Sequence, residues 1–327
     1  MSKKHEGALR FGFITPLLVL CCMVAAPAPA QSYPEKPVRM IVPFPPGGSD
    51  TVARIVAGKL STTLNRQIVV DNRAGAGGLI GTELAANAAA DGYTLFFVTA
   101  SFPINVQLYK NLSFDPARAF APIGLISSGP QVLVASLNLP ARTLAEFIDL
   151  AKAKPKALNF ASTGTGSITH MAAELFLAMS GISAVHIPYK GTGEALTSVM
   201  AGQTQFTFVP IGGALSLYRG GKVKLLGIGA LKRSSATPEI PTIAESGVPG
   251  YEVLTWYGLL SPSGTPAAII SKLNKQLDAV LQQPDVVTQI TGLGFDVTPS
   301  TPTAFAEVLK TDFNKWREVI RRTGMAK

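Results

Sequence analysis

The 327-residue sequence has few of the residues on which metal and thiol chemistry depend. It contains two cysteines and three histidines, and only 15% of its residues are charged. Cys21 and Cys22 both lie in an apolar segment near the start, so a chain that lost this segment would have no disulfide and no thiolate. His170 and His186 are far apart, and no acidic cluster stands at ligand spacing, which argues against a zinc site.

Nucleotide-binding and hydrolase motifs are also missing. Gly75, Gly77 and Gly81 give G-x-G-x-x-x-G, but Ile80 stands where a dinucleotide-binding loop needs its third glycine. The sequence has no G-x-x-x-x-G-K-[ST] phosphate loop and no G-x-S-x-G nucleophile elbow. We therefore expect no cofactor, no metal and no catalytic residue.

The first thirty residues have the features of a secretory signal peptide. Three basic residues precede an almost continuous apolar run over residues 11–26, and Ala28–Ala30 offers a small-x-small cleavage site. A membrane anchor is less favoured, because Pro16 interrupts the run and the run is short for a span. The sequence predicts cleavage after Ala30 and an exported protein, which argues against a function that needs ATP or a nicotinamide pool.

The 29 lysines and arginines exceed the 20 aspartates and glutamates. This excess indicates either attraction of anionic small molecules or a merely basic surface. The basic residues are scattered and form no run of five, so the sequence does not favour nucleic acid as a partner.

Short apolar segments alternate with amphipathic ones, which is typical of an α/β protein with largely parallel strands. The predicted strands are residues 38–42, 68–70, 94–98, 158–161, 184–187, 206–209 and 223–228. Hydroxyl and carboxylate caps predict four helix starts: Ser49 or Asp50, the Thr143–Glu146 capping box, Thr265–Pro266 and Thr301–Pro302. The last two predict helices over 266–282 and 302–323.

Four glycine- or proline-rich loops each join a predicted strand to a predicted helix. They are the first loop, Pro43–Ser49; the second loop, Asn72–Gly78; the third loop, Ser162–Ser167; and the fourth loop, Pro188–Gly193. A helix start carries about half a positive charge, and glycine lets a ligand approach the backbone closely. Because such loops lie at the carboxyl ends of strands, where ligands bind in α/β sheets, together they predict a carboxylate or phosphate site.

Several side chains near these loops have two interpretations. His170 is the one plausible base near the hydroxyls of Ser162 and Ser167, but a local hydrogen bond that steadies the loop is the favoured role. His186 is expected to be structural. Basic side chains beside the loops are either direct anion partners or solvated surface groups; they are Arg54, Arg73 and Lys190.

Motifs along nearly the whole chain resemble the Bug family of periplasmic solute-binding proteins, the receptors of tripartite tricarboxylate transporters. The motifs are Tyr33–Pro37, Ile41–Phe44, Pro46–Gly48, Asn72–Arg73, Gly75–Gly78, Asp91–Leu95, Ser162–His170, Pro188–Gly191, Pro241–Glu245, Gly247, Gly250–Tyr251, Trp256–Gly258, Gly264–Pro266 and Trp316. The resemblance implies a periplasmic binding protein fold of type II, with two α/β domains hinged by crossing strands. Domain 1 would comprise residues 31–130 plus 254–327, and domain 2 residues 131–253.

The resemblance further implies a receptor, not an enzyme, that binds a small organic carboxylate in the interdomain cleft and delivers it to a membrane permease. The residues expected to bind the ligand are Phe44, Pro46, Gly47, Gly48, Ser49, Ala76, Gly77, Gly78, Ser162, Thr163, Gly164, Thr165, Ser167, His170, Tyr189 and Gln205. Relatives often have an acidic residue at the positions of Gln205 and Val209, so an amino-acid ligand is less favoured. An exported Ser/His hydrolase and a sensory module for a membrane signalling partner remain the alternatives.

Overall fold

The computed structural model describes residues 33–109, 111–234 and 237–323, with side chains in the last range described to Arg321. The expected signal peptide, with both cysteines, lies outside the described residues. Within the described ranges, no helix is both long enough and apolar enough to span a membrane.

Ten strands and ten α-helices alternate over most of the described chain. The strands are β1 (Val38–Val42), β2 (Ile68–Asn72), β3 (Thr94–Thr99), β4 (Phe120–Ala135), β5 (Asn159–Ser162), β6 (Val185–Pro188), β7 (Phe206–Pro210), β8 (Lys224–Ile228), β9 (Leu254–Pro262) and β10 (Asp296–Val297). The helices are α1 (Ser49–Leu64), α2 (Leu79–Ala86), α3 (Phe102–Leu108), α4 (Leu144–Ala153), α5 (Ile168–Ser180), α6 (Thr192–Met200), α7 (Ile211–Arg219), α8 (Ala267–Leu281), α9 (Pro284–Gly292) and α10 (Pro302–Thr323).

The strands form one mixed sheet with the order β2-β1-β3-β9-β4-β7-β5-β6, and β8 and β10 pair with β4. In the first half of the sheet, β1 is parallel to β2 and β3, with Val38 opposite Ile68. In the second half, β5 is parallel to β6 and β7. The parallel strands expected from the sequence are therefore at the outer parts of the sheet. The expectation of a largely parallel sheet is wrong for its centre.

The centre is antiparallel because the 16-residue strand β4 runs through both halves. Up to Pro130, β4 pairs with β9, and from Gln131 onward it pairs with β7. Strand β9 begins at Leu254, opposite Pro130, and pairs on its other side with β3. Strand β4 therefore carries the chain from the first half of the sheet to the second half, and β9 begins where the chain has returned to the first half.

Local sequence signals predicted some helix caps correctly and others wrongly. Thr143 accepts a hydrogen bond from the Glu146 N–H, as the capping box predicts, and Thr301 accepts one from the Ala304 N–H. Helix α1 instead starts after Gly48 with no side-chain cap, so the prediction that Ser49 or Asp50 caps it is wrong. The Thr265 hydroxyl donates to the Pro262 carbonyl and does not cap α8.

Burial explains why the strands place helix starts at one edge of the sheet. Val38, Met40, Ile41 and Val42 of β1 are fully buried, because helices cover both faces of a parallel strand. Helix α1 buries one face through residues including Val52, Val56 and Leu60 against this layer. Strands β5 and β7 are likewise mostly buried and lead into α5 and α7, whereas β6, which leads into α6, is partly exposed. Helices α1, α5, α6 and α7 begin at the carboxyl ends of β1, β5, β6 and β7.

Candidate functional site

Helices α1, α5, α6 and α7 begin around one cavity of about 390 Å³, to which both halves of the sheet contribute. The lining residues are Phe44, Pro45, Pro46, Gly47, Gly48, Ser49, Thr99, Ser101, Thr163, Ile168, Thr169, Gly191, Thr192, Gly193, Glu194, Leu196, Pro210, Gly213, Thr255 and Tyr257. Because each helix start carries about half a positive charge, this cavity suits an anion.

Three of the four helix starts have no side-chain cap. Gly48, Gly191 and Pro210 precede α1, α6 and α7, and none of these helices has a side-chain hydrogen bond at its cap. The fourth start, that of α5, is occupied by protein groups. The Ser167 hydroxyl accepts from the His170 N–H, and the Ser101 hydroxyl accepts from the Ile168 N–H at 3.0 Å. The uncapped starts of α1, α6 and α7 can therefore donate N–H groups to a ligand.

No lysine, arginine or histidine is among the residues described as lining this cavity, and Glu194 is the one charged side chain there. Arg54, Arg73 and Lys190 do not line the cavity. Arg54 pairs with Asp50 at 2.8 Å, and Arg73 pairs with Asp71. The described ranges also contain no group of three His, Cys, Asp or Glu side chains placed to hold a metal ion. An anion in this cavity would meet backbone dipoles and hydroxyls.

The first loop is held in place by polar groups behind it. The Asn72 amide donates to the Phe44 carbonyl at 2.8 Å and to the Asp50 carboxylate at 2.9 Å. Gly47 and Gly48 have φ of +96° and +56°, a region that residues with a Cβ rarely adopt. The loop thus turns sharply before α1 and presents Ser49 to the cavity.

The second and third loops pack directly on each other. A Cβ added at Gly77 would lie 2.4 Å from the Thr165 carbonyl oxygen, and one added at Gly164 would lie 3.3 Å from Gly77 Cα. Buried Asn105 donates to the Gly77 carbonyl at 2.8 Å. In this conformation, the space beside the glycines of each loop is therefore occupied by the backbone of the other loop and not by a ligand.

A buried cluster beneath the third loop holds its shape. The Ser162 hydroxyl shares a hydrogen bond of 2.6 Å with His186 Nε2, and His186 stacks on His170 with centroids 3.9 Å apart. His170 Nδ1 accepts from the Gly166 N–H at 3.3 Å. Burial, with a smaller contribution from the charge of His170, lowers the pKa of His186 to about 3. His186 is accordingly neutral at pH 7, and Ser162, fully buried, does not face the cavity.

Strand ends contribute polar groups that were not among the expected ligand-binding residues. Thr99 ends β3, Thr255 and Tyr257 lie on β9, and Ser101 follows β3. Burial raises the pKa of Tyr257 above its ordinary value, so its hydroxyl stays protonated at neutral pH. The start of α7 was also missed, because no glycine-rich loop separates β7 from α7, and Gly212 and Gly213 lie within the helix.

Six of the sixteen expected ligand-binding residues line this cavity: Phe44, Pro46, Gly47, Gly48, Ser49 and Thr163. The others do not line it; they are Ala76, Gly77, Gly78, Ser162, Gly164, Thr165, Ser167, His170, Tyr189 and Gln205. The Gln205 amide accepts from the Asn159 N–H at 2.8 Å and donates to the Gly202 carbonyl. On the sequence alone, Gln205 makes an amino-acid ligand less favoured. These contacts of Gln205 give that argument no structural support.

Residues 52–325 match the family described as "Tripartite tricarboxylate transporter family receptor". Protein BugT of Bordetella pertussis is 36% identical over 304 residues, which cover 92% of this chain and 93% of BugT. These findings confirm the resemblance to the Bug family.

Solved structures show the same fold. A Rhodopseudomonas palustris protein, Rpa4515, was solved with adipate; it is 31% identical with a TM-score of 0.87, covering 90% of this chain and 99% of that one. MatC from Rhodopseudomonas palustris was solved with bound malate; it is 33% identical with a TM-score of 0.84, covering 88% of this chain and 100% of MatC.

Proposed function

The chain belongs to the tripartite tricarboxylate transporter receptor family, and from that premise we propose that it binds a small organic carboxylate in the cavity described above. The observation that carries this proposal is the convergence of uncapped helix starts, those of α1, α6 and α7, on one cavity without a basic side chain. Backbone N–H groups can bind a carboxylate there with no competing side-chain cap. The relatives solved with adipate and malate support the same ligand class.

Binding would work by closure of two domains, residues 31–130 plus 254–327 and residues 131–253. Support for these boundaries comes from β4, which changes partners between Pro130 and Gln131, and from β9, which begins at Leu254. The cavity is lined from both sides of this boundary, so a ligand would contact both domains only when they are together. Such contacts shift the population toward the closed state.

The protein would release its ligand unchanged to a membrane permease of the tripartite type. A hydrolase would need Ser162 or Ser167 to face the ligand with a base beside it. Ser162 is instead buried on His186, and the Ser167 hydroxyl donates to the Gly164 carbonyl at 2.7 Å. Removal of the first thirty residues on export would place this receptor in the periplasm, where the permease could be reached.

A thermal-shift screen of mono-, di- and tricarboxylates, followed by titration calorimetry, tests the proposal. A ligand at 100 times its dissociation constant should stabilise the fold by about 2.7 kcal/mol, which raises Tm by several degrees. Mass spectrometry of recovered ligand should show it unaltered. A chemically changed product would favour the hydrolase, and the absence of any carboxylate that raises Tm would contradict the proposal.

A further inference from the structure

We infer that the cavity selects anions with a single carboxylate, and that Glu194 is the residue that discriminates against a second negative charge. This inference rests on the proposed function, because it concerns which carboxylates the same cavity accepts. It depends on where Glu194 lies, on the positive field available, and on the absence of cations among the described lining residues.

Glu194 is the third residue of α6 and lines the cavity beside the uncapped start of that helix. One of its carboxylate oxygens accepts a hydrogen bond from the Lys190 N–H at 3.1 Å. This bond ties the carboxylate to the fourth loop, on the ligand side of the helix start. No described basic side chain forms an ion pair with Glu194, so its negative charge is not cancelled locally.

The positive field at the cavity is limited. Three uncapped helix starts, those of α1, α6 and α7, supply roughly one and a half positive charges in all, at about half a charge each. Two acidic residues stand in their first turns, Asp50 in α1 and Glu194 in α6. Asp50 is balanced by Arg54 at 2.8 Å, whereas Glu194 removes about one unit of the field. The remainder, roughly half a positive charge, is far smaller than the two negative charges of a dicarboxylate.

The second carboxylate of a dicarboxylate would lie in a cavity whose described lining contains no lysine, arginine or histidine. The rest of the lining near α6 is apolar or hydroxylic, including Leu196, Pro210 and Ile168. Two like charges about 7 Å apart repel by roughly 1 kcal/mol at an effective dielectric constant near 40, which corresponds to a five- to tenfold loss of affinity. Glu194 is exposed, so water and salt keep the effect within this range.

Calorimetry with matched acids tests this inference on the full mature chain. The probes are hexanoate and adipate, butyrate and succinate, and benzoate and terephthalate, each pair differing by one carboxylate. We expect the wild type to bind a monocarboxylate at least about fivefold more tightly than its dicarboxylate partner. Glu194→Gln keeps an acceptor for the Lys190 N–H and should bring this ratio close to one by improving dicarboxylate binding.

Glu307→Gln is the matched control, because it removes one negative charge from an exposed position on α10 that does not line the cavity. It should leave the ratio unchanged. Equal or tighter dicarboxylate binding by the wild type, or a ratio that Glu194→Gln does not alter, would overturn the inference and leave the receptor function intact. If none of the six acids binds to folded protein, the proposed carboxylate receptor itself fails.

Discussion

Two pairs of glycine loops meet across the cavity region, and they meet differently. In the first pair, a Cβ added at Gly48 would lie 3.3 Å from the Thr192 hydroxyl, which is the end of a side chain. In the second pair, a Cβ added at Gly77 would lie 2.4 Å from the backbone oxygen of Thr165. In the first pair, a Cβ added at Gly191 would likewise lie 3.0 Å from the Pro45 side chain. The first and fourth loops therefore meet through side chains beside uncapped helix starts, whereas the second and third loops meet backbone to backbone.

The difference shows that glycine content alone does not identify a ligand loop. Glycine permits close approach of any partner, and the partner of Gly77 is another loop of the same chain. The Ile168 and His170 amides at the start of α5 donate to the hydroxyls of Ser101 and Ser167, whereas α1 and α6 have no side-chain cap. In this structure the first and fourth loops line the cavity beside uncapped helix starts, Thr163 of the third loop lines it as well, and the second loop packs against the third.

Gly77→Ala should produce the largest effect on this comparison. The added methyl group would clash with the Thr165 backbone and force the second and third loops apart. We expect ligand affinity to fall about a hundredfold, equivalent to about 3 kcal/mol. Calorimetry with the tightest-binding carboxylate measures this loss, and circular dichroism checks that the fold persists.

Gly181→Ala is the control for backbone strain. Gly181 has φ of +68°, close to the +65° of Gly77, but a Cβ there would meet nothing within 4 Å. The control should lose about 1 kcal/mol of folding stability and keep its affinity. Equal affinity losses in the two variants would show that strain, not loop contact, explains the result for Gly77.

The sequence predicted the α/β elements well because hydrophobic periodicity and capping are local properties. The seven expected strands and the helices after Thr143 and Pro302 are present within one or two residues. The long strand β4 was missed, because Pro122, Gly124, Gly129 and Pro130 interrupt its pattern.

The site was predicted less completely than the fold. All four loops were found, but which loops face a cavity and which face each other depends on tertiary contacts that no local pattern carries. Thr99, Thr255 and Tyr257 are polar residues of strands, and nothing in a strand pattern distinguishes a lining hydroxyl from one buried in the core. The interaction of His186 with Ser162 joins residues 24 positions apart and has no spacing signal.

Acid should weaken the third loop more than the first. The pKa of His186 is about 3 in the fold and near 6.5 in the unfolded chain, because burial and His170 disfavour its charged form. The stabilising effect of a neutral His186 is therefore complete above about pH 6.5 and is lost as pH falls toward 3. After allowance for partial exposure, we expect about 1 kcal/mol less stability at pH 5 than at pH 7 from this residue.

Thermal melts of the wild type and His186→Gln at the two pH values measure this contribution. The wild type should lose a few degrees more than the variant between pH 7 and pH 5, because the variant has no histidine to protonate at this position. Equal changes in Tm for the two proteins would mean that the cluster of His186, His170 and Ser162 does not make the stability of the third loop depend on pH.

Gly48→Ala should have the smallest effect on ligand affinity, and it tests the contact between the first and fourth loops. Its φ of +56° makes a Cβ strained, but the nearest atom would be the Thr192 hydroxyl oxygen at 3.3 Å, which can rotate away. We expect a three- to fivefold loss of affinity by calorimetry, equivalent to about 1 kcal/mol. Thr192→Ala in the same chain removes that oxygen and leaves the next contact at 3.7 Å, so part of the loss should be recovered. A loss as large as that of Gly77→Ala would mean that the first and fourth loops close as tightly as the second and third, and the ligand would then need another route to the uncapped helix starts.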